Sequence, residues 1–429
     1  MRLQLYGERN VFVKNLDKTV EDKEVLDLFS GKSRENPFVL FSKMRKMGAV
    51  IPIPSPMEEI KTQAWVVTRM EEAMQVLKGH HHFTVDQSSI NTPHDTRKHK
   101  ADESDPPTFF GGQSMLSVDD PDHRRLRKLV SKAFTPRYME SLRPRVQEIA
   151  DELLDEVQDK GKMDLVKDYA YPLPINVISD MLGVPKEDKE KIHGWSATIA
   201  KGLSLGRRDP GVDKQIKAFG TYTMQLVDAK RKHPADDLTS QLVAIEEEGD
   251  RLSEGELLAM ITLLIFAGHE TTSNLIATGS LMLFDHPEQL EKIKADPALV
   301  TSAVEELLRF NGPATISGPR YATKDLKLGG QQIKKGDMVI PVLKSANRDE
   351  QQFIDSEELD ITRTIKRHLA FGHGIHMCLG APLARIEADI AFSTLLRRMP
   401  NLRLSIPREE VNLHFTLSSQ GVTSLPVIF

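Results

Sequence analysis

Residues Phe371–Gly380 read FGHGIHMCLG, and Cys378 within them is the only cysteine in 429 residues. Glycines at 372, 374 and 380 let the backbone turn tightly and approach a partner closely. The following stretch, LGAPLARIEADIAFSTLLRRM, carries Leu383, Ile386, Ile390 and Leu395 at helical spacing. Cys378 therefore falls just before a helix N-terminus or at it, where the dipole and free N–H groups stabilise a thiolate. A lone cysteine is ordinarily a small buried hydrophobe, so its neighbours decide. A nucleophile needs a positioned base; His373 and His376 are near, but no cysteine-protease signature surrounds them. Zinc would require several Cys or His ligands. One thiolate is enough for haem iron, because the porphyrin supplies the four equatorial ligands.

Composition narrows the alternatives. The chain has 57 Lys+Arg and 62 Asp+Glu, a formal charge of −5, with 39% hydrophobic and 28% charged residues. Mild acidity makes no electrostatic case for a nucleic-acid partner. A single cysteine forms no internal disulfide and fits a reducing compartment. The charged N-terminal stretch lacks the apolar core of a secretory signal. The longest apolar run, Leu257–Ala267, contains Thr262 and is too short to span a bilayer. A cytoplasmic protein is expected. No repeat or Gly/Ser/Pro linker divides the chain, so 1–429 is expected to form one domain.

The periodicity is mainly that of an α protein with small β-sheets. Residues 140–310 read as helices, with apolar residues at three- and four-residue intervals in ESLRPRVQEIADELLDEVQ. Residues 316–345 read as short strands, with Gly-Gly and Lys-Gly turn signals in DLKLGGQQIKKGDMVIPVL, and more strands follow Leu402. Gln87–Met115 is a polar, proline-punctuated loop, longer than an ordinary connection.

LSEGELLAMITLLIFAGHETTSNLIATGSLMLF predicts the longest helix. Ser253 and Glu256 form a capping box, and Pro287 stops the helix about 32 residues later, roughly 48 Å at 1.5 Å per residue. Its first half is apolar nearly all round, which predicts burial. AGHETT, residues 267–272, interrupts that run. Gly268 costs about 1 kcal/mol against alanine in a helix interior. Glu270 places an acid mid-helix, and Thr271 can divert a backbone carbonyl. Such clustered faults predict a site rather than packing.

The cysteine loop, F-G-x-G-x-H-x-C-x-G followed by A-x-x-L-A-R-x-E, resembles the haem-binding loop of the cytochrome P-450 haem-thiolate monooxygenases. Phe371, Gly372, Gly374, His376, Cys378 and Gly380 stand in register, then Ala384, Arg385 and Glu387. AGHETT resembles the family's oxygen-binding motif. AVEELLRF supplies an E-x-x-R pair, Glu306 and Arg309, and FIDSEELDITR ends in Arg363, matching the arginine that completes a buried triad. SANRDE at 345–350 also fits the pattern.

The resemblance implies a haem-thiolate monooxygenase fold with the long helix crossing a haem b, and Cys378 as the iron ligand. It implies that Gly268 leaves space for dioxygen, that Thr271 hydrogen-bonds the iron–oxygen unit and that Glu270 relays protons. Ala267, Phe371 and Gly380 would also face the cofactor. His123, Arg127, Arg320 and His376 match propionate-binding positions. The substrate pocket is expected from Phe109, Leu264, Ala314, Thr315, Ile316, Leu417 and Ser418, with Phe110 nearby, and suits a medium-sized apolar molecule. His269 faces either that pocket or a neighbouring helix. Electrons would come from NAD(P)H through a separate ferredoxin or flavodoxin, with Arg124, Arg125, Lys128 and Lys132 as its docking patch; a monomer is expected. A hydrogen-peroxide-dependent peroxygenase is an alternative, disfavoured by the intact Glu270–Thr271 pair. A non-catalytic haem sensor would need neither relay nor docking face.

Overall fold

The computed structural model describes residues 37–53, 63–90, 108–109, 114–204, 210–247, 250–415 and 419–429. Phe110, Leu417, Ser418 and most of the Gln87–Met115 loop lie outside the described residues.

The long helix runs Glu254–Asp285, 32 residues. Its start is the capping box read from the sequence: Glu256 N–H donates to Ser253 Oγ at 3.3 Å, and Ser253 N–H donates to Glu256 Oε2 at 2.8 Å. His286 follows, and Pro287 opens the next helix, Pro287–Ala295. The helix is buried along most of its length, packed against helices Pro172–Met181 and Ala381–Arg398.

Helix Ala381–Arg398 begins just after the cysteine loop, with Pro382 in its first turn and Arg397 and Arg398 in its last. This is the arrangement that proline's fixed φ and the helix dipole favour. Leu383, Ile386, Ile390 and Leu395 are all buried in the main core.

The strands form small groups beside the helices. A five-stranded sheet has the order Val50–Ile53, Ala64–Val67, Met338–Pro341, Arg320–Ala322, Phe83–Thr84. Met338–Pro341 pairs parallel with Ala64–Val67, and the other neighbours are antiparallel. The Gly-Gly signal makes the hairpin Leu326–Leu328/Gln331–Ile333, with Gly329 and Gly330 at φ +54° and +82°. Near the C-terminus, Arg403–Leu404, Pro426–Ile428 and Lys162–Asp164 form one sheet, and Leu413–Phe415 pairs with Gln420–Val422.

The cysteine loop needs its glycines. Gly374 has φ +77°, and a Cβ there would lie 2.2 Å from the Leu77 carbonyl oxygen. Cys378 N–H donates to Phe371 O at 2.9 Å and closes the loop. Among the described residues, no helix is long and apolar enough to cross a membrane.

Candidate active site

The long helix and the cysteine loop enclose a cavity of about 500 Å³. Cys378 opens onto it. Burial pushes the Cys378 thiol above its usual range, against the pull of the Gly380 and Ala381 N–H groups and of Arg127 and Arg385. The helix-terminal stabilisation read from the sequence is therefore present but outweighed; a metal cation at the sulfur tips it to thiolate. Among the described residues no group of three or more His, Cys, Asp or Glu could hold a bare metal ion. A metal at Cys378 has to bring its other ligands with it.

Basic side chains reach the same cavity from three segments. His123 is buried, its Nε2 has no hydrogen-bond partner, and burial lowers its pKa to about 4, with the His376 and Arg127 charges adding to the effect. Arg320 is buried and pushed down to about 10 by that burial, with its Nη1 donating to Gly318 O at 2.8 Å. Arg127 donates to the Met377 carbonyl at 2.9 Å. The His376 ring lies 4.4 Å from that of His123, and its Nε2 is 3.4 Å from Asp119 Oδ1. Desolvated cations and an orphaned imidazole nitrogen fit a carboxylate-bearing cofactor.

On the long helix, Ala267, Gly268 and Thr271 line the cavity, and Thr271 Oγ1 donates to Ala267 O at 3.2 Å. Gly268 also has a packing reason to lack a side chain. A Cβ there would meet Ile178 Cγ1 at 3.0 Å, so the missing side chain makes room for helix Pro172–Met181. Glu270 is not on the cavity wall; its carboxyl accepts from Ser419 Oγ at 3.5 Å, and burial raises its pKa. His269 faces the neighbouring segment. Its Nδ1–H donates to Ile265 O at 2.8 Å, its ring meets Tyr171 edge-on at 5.5 Å, and burial lowers its pKa to about 4.

Leu264, Ala314 and Ile316 line the cavity. Phe109 and Thr315 do not. Phe109 packs on Phe266 at 5.4 Å and donates its N–H to Thr262 Oγ1. Thr315 is buried behind the wall, its carbonyl accepting from Lys344 N–H at 3.3 Å. Lys344 itself went unread in the sequence. It is fully buried, with Nζ donating to Asn311 Oδ1 at 2.6 Å and to Gln420 Oε1, and burial holds its pKa well below the usual value.

Glu306, Arg309 and Arg363 form one network, with Arg363 Nε 3.2 Å from Glu306 Oε1. A second network was missed: Arg385 Nε donates to Glu305 Oε1 at 2.6 Å, and His368 Nε2 lies 3.1 Å from Glu305 Oε2. The Arg385 guanidinium sits 4.5 Å over the Phe371 ring and so braces the cysteine loop. Glu387, buried on the cavity wall, has its pKa pushed up by burial to about 8, with Thr272 beside it. The basic patch is largely paired: Arg124 bonds Asp120 at 2.6 Å, and Arg125 bonds Glu256 and Asp250.

This constellation is that of a haem-thiolate protein, and the chain belongs to the cytochrome P450 family. The family profile, Cytochrome P450, matches residues 213–422. Cytochrome P450 CYP107DY1 of Priestia megaterium is 47% identical over 371 residues, covering 85% of this chain and 90% of that protein. The solved structure of PksS, a Bacillus subtilis 168 cytochrome P450 of the bacillaene polyketide synthase, has a TM-score of 0.81 at 38% identity, covering 92% of this chain and 97% of that one. Myxobacterial CYP267B1, solved in complex with myristic acid, has a TM-score of 0.84 at 40% identity, covering 94% and 98%. The fold and the enzyme class are thus those of a P450 monooxygenase, an oxidoreductase that uses haem and dioxygen.

Proposed function

We propose that this monooxygenase inserts one oxygen atom of dioxygen into a medium-sized apolar substrate of fatty-acid, terpenoid or steroid type. It would work in the cytoplasm with electrons from a separate ferredoxin or flavodoxin. The observation that carries the reading is the meeting, in one cavity, of the Cys378 sulfur, a cationic end and the Ala267–Thr271 turn of the long helix.

Cys378 would hold the haem iron, and His123, Arg127, Arg320 and His376 its propionates. When bound, the haem supplies the activation of dioxygen and the oxidising power. The chain's own residues do the rest. Leu264, Ala314 and Ile316 bind and orient an apolar molecule and exclude water. Arg127 and Arg320 are the only Lys or Arg side chains among the described residues lining the cavity, so a substrate's reacting part meets no free cation elsewhere. Thr271 holds a hydroxyl proton at the wall, now given to Ala267 O, and Glu270, one residue away, is an acid whose pKa burial raises and which would pass protons towards it. A single cysteine cannot hold an iron–sulfur cluster, which supports the reading that the electrons come from a separate partner.

The test is a spin-state titration of the haem-loaded protein against a substrate library, followed by turnover with NAD(P)H and a surrogate ferredoxin system. Low-to-high-spin Soret shifts from apolar compounds are expected, with product formed only when electrons are supplied. Shifts from small polar compounds alone overturn the substrate class. Equal turnover on hydrogen peroxide alone overturns the electron-donor reading.

A further inference from the structure

We infer that Lys344 is a positioning residue for substrate selection: from behind the cavity wall it ties three chain segments together and so fixes how far an apolar substrate can reach. The inference deepens the proposed substrate reading and rests on it.

One wall of the cavity is irregular backbone. Pro313, Ala314, Ile316 and Ser317 line it, beyond the end of helix Val300–Asn311 and outside the strands. Cross-links to other segments hold this stretch in place. Gln420 N–H donates to Pro313 O at 3.0 Å, Lys344 N–H to Thr315 O at 3.3 Å, and Ser317 N–H to Pro341 O at 3.0 Å. Ala314 also forms an isolated antiparallel bridge with Ser419. The wall thus stands where strands Met338–Pro341 and Gln420–Val422 put it.

Gln420–Val422 needs an anchor of its own. It belongs to a two-stranded sheet with Leu413–Phe415, and such a hairpin is marginally stable by itself. The Lys344 side chain supplies the anchor. Leu343 lines the cavity, and Lys344, the next residue, is buried behind it. Its Nζ donates to Asn311 Oδ1 at 2.6 Å, where the helix ends and the wall begins, and to Gln420 Oε1, where the strand begins. Burying a lysine is costly, and those that are buried are usually ion-paired. Here both acceptors are neutral amide oxygens from distant segments, so the side chain acts as a tether. Without Nζ both oxygens lose this donor, and the hairpin comes free of the wall.

The consequence is discrimination by length. In an apolar cavity one methylene more or less against a fixed wall changes binding by about 10- to 200-fold. A wall that yields gives up much of that difference. Lys344 acts through Ala314 and its neighbours and touches no substrate.

The experiment titrates the haem-loaded protein with 1-alkylimidazoles from butyl to dodecyl. The imidazole nitrogen ligates the iron and moves the Soret band to the red, while the tail fills the cavity. Lys344→Met keeps the length of the side chain and removes the donors. Gln420→Leu removes one acceptor and keeps the Asn311 bond. Leu154→Ala, at a buried position of helix Arg143–Gln158 away from the cavity, is the control for general loss of stability. Native affinity should rise with tail length and then fall about 10-fold or more once the tail meets the wall. In Lys344→Met that fall should shrink several-fold or begin at a longer tail, with a weaker form of the same change in Gln420→Leu. Leu154→Ala should lower the melting temperature and keep the native length profile. A native profile in both Lys344→Met and Gln420→Leu, or the same altered profile in Leu154→Ala, overturns the inference and leaves the apolar-substrate reading standing. No gain in native affinity with tail length overturns that reading, and this inference with it. If Lys344→Met does not load haem, Gln420→Leu decides alone.

Discussion

Arg309 grips Glu306 through two parallel hydrogen bonds of 2.7 Å, and neither side chain reaches solvent. The pair sits three residues apart on helix Val300–Asn311, a spacing that on a surface is worth under about 1 kcal/mol. Here the guanidinium also donates to the carbonyls of Asn347, Ser356 and Glu358, and Arg363 shares the carboxylate. The network ties the helix to the segment leading into the cysteine loop.

Removing one partner leaves the other charged and buried. Glu306→Ala should therefore cost about 3–5 kcal/mol, and Arg309→Lys should be nearly as damaging, because an ammonium cannot reproduce the two-pronged fork. Denaturant unfolding and the fraction of haem retained on purification measure both. A Glu306→Ala protein that keeps native stability and full haem content contradicts the structural role.

The Glu305 network makes a separate prediction about acid. Burial raises the Glu305 pKa, but bonds from His368 and Arg385 overcome this and bring it to about 2. Its folded pKa lies below the ordinary carboxylate value. The stabilisation is thus complete above about pH 4.5 and is lost as pH falls towards 2. Glu305 is partly exposed, so screening limits the effect to on the order of 1–2 kcal/mol. Glu305→Gln should lower the unfolding midpoint at pH 7, converge with native only as pH falls towards 2, and loosen the loop that Arg385 braces. Equal midpoints at pH 7 would discount the network.

His269 gives the opposite kind of test, a base held neutral. Its folded pKa, about 4, lies below the ordinary 6.5. The unfolded chain takes up this proton first, so stability is intact above pH 6.5 and falls as pH drops towards 4. The full effect is on the order of 3 kcal/mol for complete burial. His269→Phe keeps an aromatic edge against Tyr171 and removes the titration. It should flatten the stability profile between pH 6.5 and 4, read from melting temperature across buffers. An unchanged slope would show that His269 does not titrate as described.

What the sequence revealed and what it hid divide along physical lines. The long helix, its capping box, the glycine turns and the cysteine loop are written in consecutive residues, where spacing and φ preference act locally. Glu306 and Arg309 were visible as a pair, but their burial depends on Arg363 and the carbonyls around them. Partners from distant segments left no trace: Ile178 opposite Gly268, Tyr171 against His269, Asp119 beside His376, and Lys344 between Asn311 and Gln420. A helix pattern says which face is buried, not what it meets. Phe109 and Thr315 were placed by segment, and a segment does not fix where a side chain points. The basic patch was legible as composition, while its neutralisation by Glu256 and Asp250 comes from the start of the long helix and the hairpin before it.

Gly268 separates two roles that sequence alone runs together. If the glycine exists to keep space open for dioxygen, an added methyl blocks that space whatever stands at position 178. The geometry points the methyl at Ile178 instead, 3.0 Å from Cγ1 and 3.2 Å from Cδ1. Gly268→Ala gains about 1 kcal/mol of helix propensity but crowds a packed helix contact, for which about 1–3 kcal/mol is typical. Ile178→Ala alone leaves a hole costing about 2–5 kcal/mol. Combined, the methyl fills part of that hole, so the double variant should be more stable than the sum of the singles by at least about 1 kcal/mol. Coupled turnover should recover with it. The measurement is a double-mutant cycle on unfolding free energy, run alongside product-to-peroxide ratios. Additive energies with coupling lost in both Gly268→Ala backgrounds would return the glycine to the dioxygen role.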